Sequence, residues 1–391
     1  MSSETIIKAA NRMGEVKEYY FSRKLREIAQ MRAEGKEVLN LGIGSPDLPP
    51  SAGVIEELQQ HSSKSTSHGY QSYTGIPELR QAFSDWYQKW FDVSLNPNGE
   101  ILPLIGSKEG IMHISMTYLE PGDEVLVPNP GYPAYRAVAN LTGATIREYK
   151  LEESLGWTPD LDALDAMDLQ KVKIMWVNYP NMPTGAQAQI SFYERLIKFA
   201  KQHQILICND NPYGFILNER PISILSIPGA KAVALELNSL SKSHNMAGWR
   251  IGMLGGAASY LSTILRFKSN MDSGMFRPLQ LAAVKALQQP ASWYESVNSI
   301  YLDRRNRVYD LLDLLGCVYD RNQVGMFVWA KIPVSYTSGF ELSDAVLYNA
   351  HVFITPGGIF GSQGDAYIRV SLCSETTVFE DAIRKIENAK I

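Results

Sequence analysis

The strongest constraint on the fold is an alternation between short apolar runs and longer amphipathic stretches between residues 100 and 256. The apolar runs lie at 101–106, 124–128, 173–178, 205–210, 232–239 and 250–256. Runs of this length are typical of buried strands, whereas the stretches at 109–119 and 191–203 show helical spacing. This alternation predicts an α/β fold in which a mainly parallel, doubly wound sheet carries helices on both faces.

The two ends of the chain predict a second, smaller unit. A helix is expected at about 19–34, and a long helical segment at 279–315 with an interruption near Pro290. Further strands are expected at 325–332, 351–358 and 367–373, followed by a helix from about Thr377. We therefore expect a large domain at 47–285 and a small α+β domain at 286–391, with the N-terminal segment 1–46 joining the small domain.

Composition excludes several classes of protein. The 391 residues include 37 basic and 41 acidic side chains without a basic block, which argues against a nucleic-acid-binding scaffold. No run of about 18 apolar residues indicates a membrane span, and the N-terminus lacks the apolar core of a secretory signal. The three cysteines show no metal-ligand spacing, so a cytoplasmic protein without a metal centre is expected.

Polar side chains and glycines follow the predicted strands. In an open α/β sheet, ligands bind beyond the carboxyl ends of the strands, so these residues should meet in one crevice. They are Gly106, Ser107, Lys108, Tyr132, Asp210, Tyr213, Ser239, Lys242 and Arg250. Each one alone also has a structural interpretation, such as a helix cap, a packed tyrosine or a solvated lysine. Together they predict a site for an anionic, aromatic cofactor with a carbonyl group.

The segment SLSK at 239–242, followed by NMAGWRIG at 245–252, resembles the pyridoxal-phosphate attachment signature of class I and II aminotransferases of fold type I. Further similarity lies in GIGSPDLP, YQSYTGIPELRQAF, PTG, DNPY, SNMDSGMF and YIRVSLC, and it extends over nearly the whole chain. The most similar subgroup contains the LL-diaminopimelate and aspartate aminotransferase-like enzymes. The resemblance therefore implies an enzyme that contains pyridoxal 5'-phosphate and moves an amino group between an L-amino acid and a 2-oxo acid by ping-pong half-reactions.

The resemblance also implies a role for each matching residue. Lys242 would form a Schiff base with the cofactor and later carry the proton, Asp210 would pair with the pyridinium nitrogen, and Tyr213 would donate to the phenolic oxygen. Tyr132 would stack on the ring. The phosphate would be bound by Gly106, Ser107, Lys108, Ser239, Arg250 and, from a neighbouring subunit, Tyr70. Gly44 and Arg369 would bind the substrate carboxylate, and the active unit would be a homodimer.

One position departs from the family pattern. Met182 stands before the PTG turn, where the family has an asparagine that donates to the phenolic oxygen. A thioether cannot donate a hydrogen bond, so either Tyr213 binds that oxygen alone or Asn181 replaces the missing donor. We predict that losing this donor raises the pKa of the Schiff base.

Two other functions and the choice of substrate stay open at this stage. A lyase or racemase could use the same lysine and aspartate, and some transcription regulators carry this fold as an effector domain behind a helix-turn-helix unit. Because the predicted helix at 19–34 comes almost at the start of this sequence, we do not expect such a unit. Arg277 and Lys268 are candidates for a second carboxylate receptor, although a solvated side chain explains either of them equally well.

Overall fold

A computed structural model describes residues 7–14, 18 and 20–391. The first helix, α1, spans Tyr20–Ala33, as the sequence predicts. The predicted first residue of that helix, Tyr19, and residues 1–6 and 15–17 of the predicted N-terminal segment lie outside the described residues. A short strand, β1, follows at Leu39–Asn40.

The centre of the molecule is a seven-stranded sheet. Its strands are β2 (Ile101–Leu104), β3 (Glu124–Asn129), β4 (Thr145–Lys150), β5 (Val172–Val177), β6 (Leu206–Asp210), β7 (Ala234–Ser239) and β8 (Gly252–Gly255), in the order β2-β8-β7-β6-β5-β3-β4. Only the pairs that involve β8 are antiparallel. The fold class is confirmed, and each of the six predicted runs contains a strand.

Strand β4 was not predicted from the sequence, because it lies at the edge of the sheet. Its residues, TIREYK, are mostly exposed or half-buried, and only Tyr149 is fully buried. An edge strand has one neighbour and needs no continuous apolar run, so charged side chains replace the pattern that marks the central strands.

Helices cover both faces of the sheet. They are α2 (Ala52–Ser62), α3 (Pro77–Phe91), α4 (Ser107–Tyr118), α5 (Pro133–Thr142), α6 (Leu161–Asp165), α7 (Ile190–His203), α8 (Leu240–Ser243), α9 (Ala258–Lys268) and α10 (Arg277–Leu287). Along β3, Leu126 packs in one apolar cluster, whereas Val125 and Val127 pack in another. Successive side chains of a strand point to opposite faces, so this division shows a core on each side of the sheet.

The C-terminal part contains α11 (Ala291–Leu314), β9 (Phe327–Lys331), α12 (Gly339–Ala350), β10 (Val352–Phe353), β11 (Thr355–Pro356), β12 (Tyr367–Ser371) and α13 (Thr376–Ala389). Strands β11, β12 and β9 form an antiparallel sheet. The predicted interruption lies between α10 and α11, with Pro290 as the N-cap residue of α11.

The N-terminal segment contacts the C-terminal part of the chain. Strand β1 pairs in parallel with β10, and Phe21 and Ile28 of α1 belong to one apolar cluster with Leu347 and Phe353. These contacts agree with a small domain built from both chain ends, while its boundaries at residues 46 and 285 stay a prediction. No helix within the described part of the chain combines the length and apolarity that a membrane crossing requires.

Candidate active site

A cavity of about 310 Å³ lies at the carboxyl ends of the central strands. Its walls come from the turns that follow β2, β3, β5, β6 and β7, from the segment after β1, and from strands β9 and β12 of the C-terminal part. The predicted site residues that line it are Gly44, Ser107, Lys108, Tyr132, Asp210, Tyr213, Ser239, Lys242, Arg250 and Arg369. The structure thus brings these ten residues together at one cavity, whereas Gly106 does not line it.

Lys242 lies on the short helix α8, which begins directly after β7. Ser239 caps this helix by accepting a hydrogen bond from the Ser241 amide at 3.1 Å. The Lys242 amine donates to the carbonyl oxygen of Gly44 at 2.7 Å. Burial lowers the pKa of Lys242, and the charges of Arg369 and Arg250 add to this effect. A lysine with a lowered pKa can act as a base near neutral pH.

Asp210 is the last residue of β6 and lies buried at the bottom of the cavity. One carboxylate oxygen accepts from the Tyr135 hydroxyl at 2.9 Å. The other oxygen, Oδ1, is buried without a hydrogen-bond partner among the described residues. Burial raises the pKa of Asp210 to about 7, although Tyr135 favours the charged form. The second oxygen can therefore accept a hydrogen bond from a ligand that supplies a donor and a positive charge.

Two tyrosines that follow strand ends also line the cavity. Tyr132 is the N-cap residue of α5, and its ring lies edge-on to that of Tyr135, with 5.6 Å between ring centroids. Tyr213 follows β6, and its ring contacts that of Phe327. Burial raises the pKa of Tyr213, so its hydroxyl stays protonated and can donate a hydrogen bond.

An anion site is formed where α4 begins. Gly106 is the N-cap residue with a φ of 79°, in the left-handed region that favours glycine, and a Cβ atom there would collide with the Arg250 guanidinium. Ser107 and Lys108 follow in the first turn, where free backbone amides and the helix dipole favour negative charge. Arg250 donates to Ser241 Oγ at 3.4 Å, which places a cation and a hydroxyl beside this turn.

Arg369 enters the cavity from β12 between two aromatic rings. Its guanidinium carbon lies 3.9 Å from the centroid of Phe327 and 4.7 Å from that of Phe360. It donates to the Gly42 carbonyl at 2.8 Å and to the Met182 sulfur at 3.3 Å. Stacking and hydrogen bonding together fix the plane of the guanidinium, as two-pronged binding of a carboxylate requires.

Met182 lies in the cavity wall, whereas Asn181 is occupied inside its own turn. The Asn181 side chain donates to the Asn178 carbonyl and accepts from Thr184. Asn178 lines the cavity, donates to the Asp210 carbonyl at 2.5 Å and accepts from the Met182 amide at 2.8 Å. These contacts favour the interpretation that Asn181 does not replace the missing donor.

Several candidate residues lie outside the cavity of this chain. Tyr70 is 95% exposed, and Gly106 contributes to the turn without lining the cavity. Arg277 forms a surface ion pair with Glu78 at 3.3 Å, and Lys268 is buried in an ion pair with Asp272 at 2.5 Å. Neither of these two cations lines the described cavity, which gives no support to their candidacy as a second carboxylate receptor.

Several residues that line the cavity were not predicted from the sequence. They are Phe21, Tyr135, Asn178, Ser241, Phe327 and Phe360. Ser241 lies inside the lysine motif, and Tyr135 lies one helical turn after Tyr132, so both left a local signal. The phenylalanines come from distant segments, and no spacing in the sequence relates them to the other residues of the cavity.

Comparison with known proteins identifies the family. The family model described as "Aminotransferase class I and II" matches residues 36–386. The chain belongs to the class I and II aminotransferases. It is 40% identical to an LL-diaminopimelate aminotransferase of Dehalococcoides mccartyi strain CBDB1 over 98% of this chain and 99% of that protein. It is 39% identical to the enzyme of the same name from Aquifex aeolicus strain VF5, over 95% and 97%.

Solved structures share the fold over nearly the whole chain. Substrate-bound BacF from Bacillus subtilis superimposes with a TM-score of 0.93 at 34% identity, covering 98% of both chains. An aminotransferase from Staphylococcus aureus gives 0.88 at 27% identity, covering 98% and 99%. The chain is therefore an aminotransferase that uses pyridoxal 5'-phosphate, and no comparison favours a lyase or racemase.

The cavity fits this cofactor. Oδ1 of Asp210, which has no hydrogen-bond partner among the described residues, offers an acceptor to a protonated ring nitrogen. The glycine at 106 lets the Arg250 guanidinium lie directly against the turn before α4. Lys108 and Arg250 add positive charge beside the helix end, which matches a phosphate group. Lys242 lies in the same cavity, and its amine is the group with which a carbonyl can form a Schiff base.

Proposed function

We propose that Lys242 carries the proton and that Arg369 binds the substrate carboxylate in this aminotransferase. The observation that supports this assignment is that both side chains hydrogen-bond to one short segment, Lys242 to Gly44 and Arg369 to Gly42. An amino acid carries its carboxylate and its reacting hydrogen on the same carbon. A carboxylate receptor and a base held on one segment therefore suit it.

The cofactor would be bound at three places. Gly106, Ser107 and Lys108 would donate to the phosphate, with Ser239 and Arg250 completing its shell. Asp210 would accept from the ring nitrogen, Tyr213 would donate to the phenolic oxygen, and Tyr132 would cover the ring. When bound, pyridoxal 5'-phosphate supplies an electron-withdrawing ring that weakens the bonds to the substrate Cα atom.

The residues of this chain would then orient the substrate and move the proton. Arg369 orients the carboxylate so that the Cα hydrogen points towards Lys242. The neutral Lys242 amine would take the proton from the substrate Cα atom and would release it again later in the same half-reaction. Burial supports this role because it lowers the pKa of Lys242 and so favours the neutral amine.

The substrate is proposed from the relatives and the cavity together. The relatives named LL-diaminopimelate aminotransferase make LL-diaminopimelate the first amino donor to test. Within the described chain, the walls around Arg369 are apolar, with Phe21, Ile43 and Phe360 among them. L-phenylalanine is therefore the second donor to test, and L-glutamate is the third.

A homodimer and a cytoplasmic location complete the proposal. In the single chain, four large side chains are exposed: Tyr70, Tyr73, Met271 and Phe276. Exposed apolar side chains of this size often mark an interface with another subunit. Tyr70 would then reach the phosphate site of the second subunit. All three cysteines are free and buried, which supports a reducing compartment.

The decisive experiment follows the cofactor spectrum in a half-reaction without a 2-oxo acid. An aminotransferase converts the bound cofactor to pyridoxamine 5'-phosphate, consumes one molecule of amino donor for each cofactor and releases one molecule of 2-oxo acid. A lyase would release product repeatedly while the aldehyde form persists, and a racemase would produce the other enantiomer. Either result would overturn the proposed function, and Lys242→Ala serves as the inactive control.

A further inference from the structure

A cluster of charged side chains lies buried behind the first turn of α4 and has no part in the proposed reaction. It consists of Glu109, His113, Lys268 and Asp272. His113 is completely buried and Lys268 is 2% exposed. The Lys268 amine lies 2.5 Å from Asp272 Oδ1, and His113 Nε2 lies 2.8 Å from Glu109 Oε1. Burying this many charges is costly, so their arrangement calls for a physical explanation.

Glu109 connects the cluster to the phosphate turn. Its second carboxylate oxygen accepts from the amide of Ile105, the residue directly before Gly106. The carboxylate thus satisfies an amide at the start of α4 and fixes the turn in which Gly106 and Ser107 lie. His113, one turn further along the helix, holds the other oxygen of Glu109 in place.

Asp272 connects the same cluster to the segment that carries Tyr70. Asp272 Oδ1 accepts from the Gly274 amide at 3.0 Å as well as from Lys268. Gly274 has a φ of 84°, and a Cβ atom there would come within 2.5 Å of the Ser72 carbonyl oxygen. The loop at 272–274 therefore packs closely against residues 71 and 72.

The charges of the cluster oppose an incoming phosphate unless they are compensated. Glu109 and Asp272 place two carboxylates beside a helix end that is otherwise suited to an anion. One oxygen of each carboxylate and a His113 nitrogen lie within 4.8 Å of one another. A metal ion could use such a spacing, but the Lys268 ammonium already pairs with Asp272, so we assign no metal. Lys268 is the lysine of the cluster, and its ammonium group lies in direct contact with Asp272.

We propose that Lys268 is a positioning residue for the cofactor phosphate. It compensates the negative charge of Asp272 and Glu109 and thereby holds the turn before α4 in a form that accepts a dianion. The assignment rests on the proposed function, in which Gly106, Ser107 and Lys108 bind the phosphate. It gives the SNMDSGMF motif a role in cofactor binding, where the sequence suggested Lys268 as a receptor for the substrate.

The test compares two ligands that differ only in the phosphate group. Cofactor-free, full-length protein is titrated with pyridoxal 5'-phosphate and with pyridoxal, and both dissociation constants are measured from absorbance. Lys268→Met should raise the dissociation constant of pyridoxal 5'-phosphate about tenfold and change that of pyridoxal by no more than about twofold. Glu109→Gln keeps an acceptor for the Ile105 amide and removes a negative charge. It should therefore lower the dissociation constant of pyridoxal 5'-phosphate about threefold.

Two further variants control for structural damage. Lys268→Met with Asp272→Asn removes both charges of the pair and should restore the ratio of the two dissociation constants. Lys231→Met breaks a more exposed lysine–glutamate ion pair at the opposite end of β2, where Lys231 lies 2.8 Å from Glu100, and should leave the ratio unchanged. If Lys268→Met does not fold, the proposal is tested by Glu109→Gln alone, which should bind pyridoxal 5'-phosphate more tightly than wild type does.

Two results would overturn the assignment. If Lys268→Met and Glu109→Gln each changed the dissociation constants of both ligands by the same factor, the role of the cluster would be purely structural. The assignment of the phosphate to Gly106, Ser107 and Lys108 would then still stand. A wild-type protein that binds pyridoxal as tightly as pyridoxal 5'-phosphate would overturn that phosphate assignment and this inference together.

Discussion

Lys242 and Arg369 donate hydrogen bonds to the carbonyl oxygens of Gly44 and Gly42, which are only two residues apart. The two side chains come from different sheets, since Lys242 follows β7 and Arg369 lies on β12. The segment at 42–44 therefore sets the distance between the proposed base and the proposed carboxylate receptor. Gly44 leaves no room for a larger residue, because a Cβ atom there would collide with the ring of Phe327.

Replacing Lys242 by alanine should abolish amino transfer. The amine is the proposed proton carrier, and general acid–base catalysis contributes about 10²–10⁴-fold to rate, so a loss of at least this size is expected. Single-turnover conversion of the bound cofactor by an amino donor measures it. Lys231→Ala removes a lysine far from the cavity and should keep wild-type turnover, whereas substantial activity in Lys242→Ala would contradict the assignment.

Replacing Arg369 by lysine should lower kcat/KM about a hundredfold for every amino donor and 2-oxo acid. Lysine keeps the charge but loses the planar fork and the stacking on Phe327 and Phe360. Steady-state kinetics with two donors checks this. Arg277→Lys alters a surface ion pair and should stay within twofold of wild type, and an unchanged Arg369→Lys enzyme would exclude Arg369 as the receptor.

Asp210 should make the cofactor-free enzyme less stable as pH rises. Its pKa is raised to about 7, so between the unfolded value near 4 and pH 7 the folded state retains a proton that the unfolded state loses. That stabilisation is complete at low pH and is lost as pH rises through 7. At pH 8, Asp210→Asn should therefore increase the free energy of unfolding by about 1–3 kcal/mol, and at pH 4 by nearly nothing.

Urea unfolding of cofactor-free protein at the two pH values measures this difference. The exposed carboxylate Asp85 provides a control, because Asp85→Asn should change the free energy of unfolding by less than about 0.5 kcal/mol at either pH. A stability gain in Asp210→Asn that did not depend on pH would contradict the raised pKa.

Tyr70 should act across the subunit interface. If the phosphate site needs Tyr70 of the second subunit, Tyr70→Ala and Lys242→Ala should each be impaired as homodimers. A hybrid of the two variants, carrying different affinity tags, has one intact site and one doubly damaged site, so it should recover about half of the wild-type activity per dimer. A hybrid of Lys242→Ala with the double variant should stay inactive, and no recovery in the first hybrid would argue against a shared site.

Met182→Asn should lower the pH midpoint of the absorbance change of the cofactor-loaded enzyme by about one unit. An asparagine could donate to the phenolic oxygen and still accept from Arg369, which donates to the Met182 sulfur. Spectral titration of wild type and variant measures the midpoint. Met182→Leu has no donor either and should keep the wild-type midpoint, and an unchanged midpoint in Met182→Asn would contradict the hypothesis.

Much of the fold could be predicted because central strands carry a continuous signal. Strand β6 is buried throughout and β5 is buried except at Lys173, so most residues of both strands are apolar. Strand β4 gave no such signal, because it lies at the sheet edge and exposes TIREYK. The break between α10 and α11 was visible because proline cannot continue a helix.

The candidate site was predictable wherever its residues follow a strand end. Asp210 is the last residue of β6 and Lys242 follows the end of β7, and the carboxyl ends of these neighbouring parallel strands lie at the same edge of the sheet. Tyr135 was missed although it binds Asp210, since its hydroxyl reaches the carboxylate from a helix whose orientation the sequence does not reveal.

By itself, the sequence determined the alternation of strands and helices, the strand ends that meet in the cavity and the motif that marks the family. Only the tertiary structure decided the partners of each charge. It paired Lys242 and Arg369 with neighbouring carbonyls, buried Lys268 against Asp272 and left one oxygen of Asp210 without a partner among the described residues. The physical reason is range: periodicity is a local property of the chain, whereas a buried charge depends on whichever distant segment packs against it.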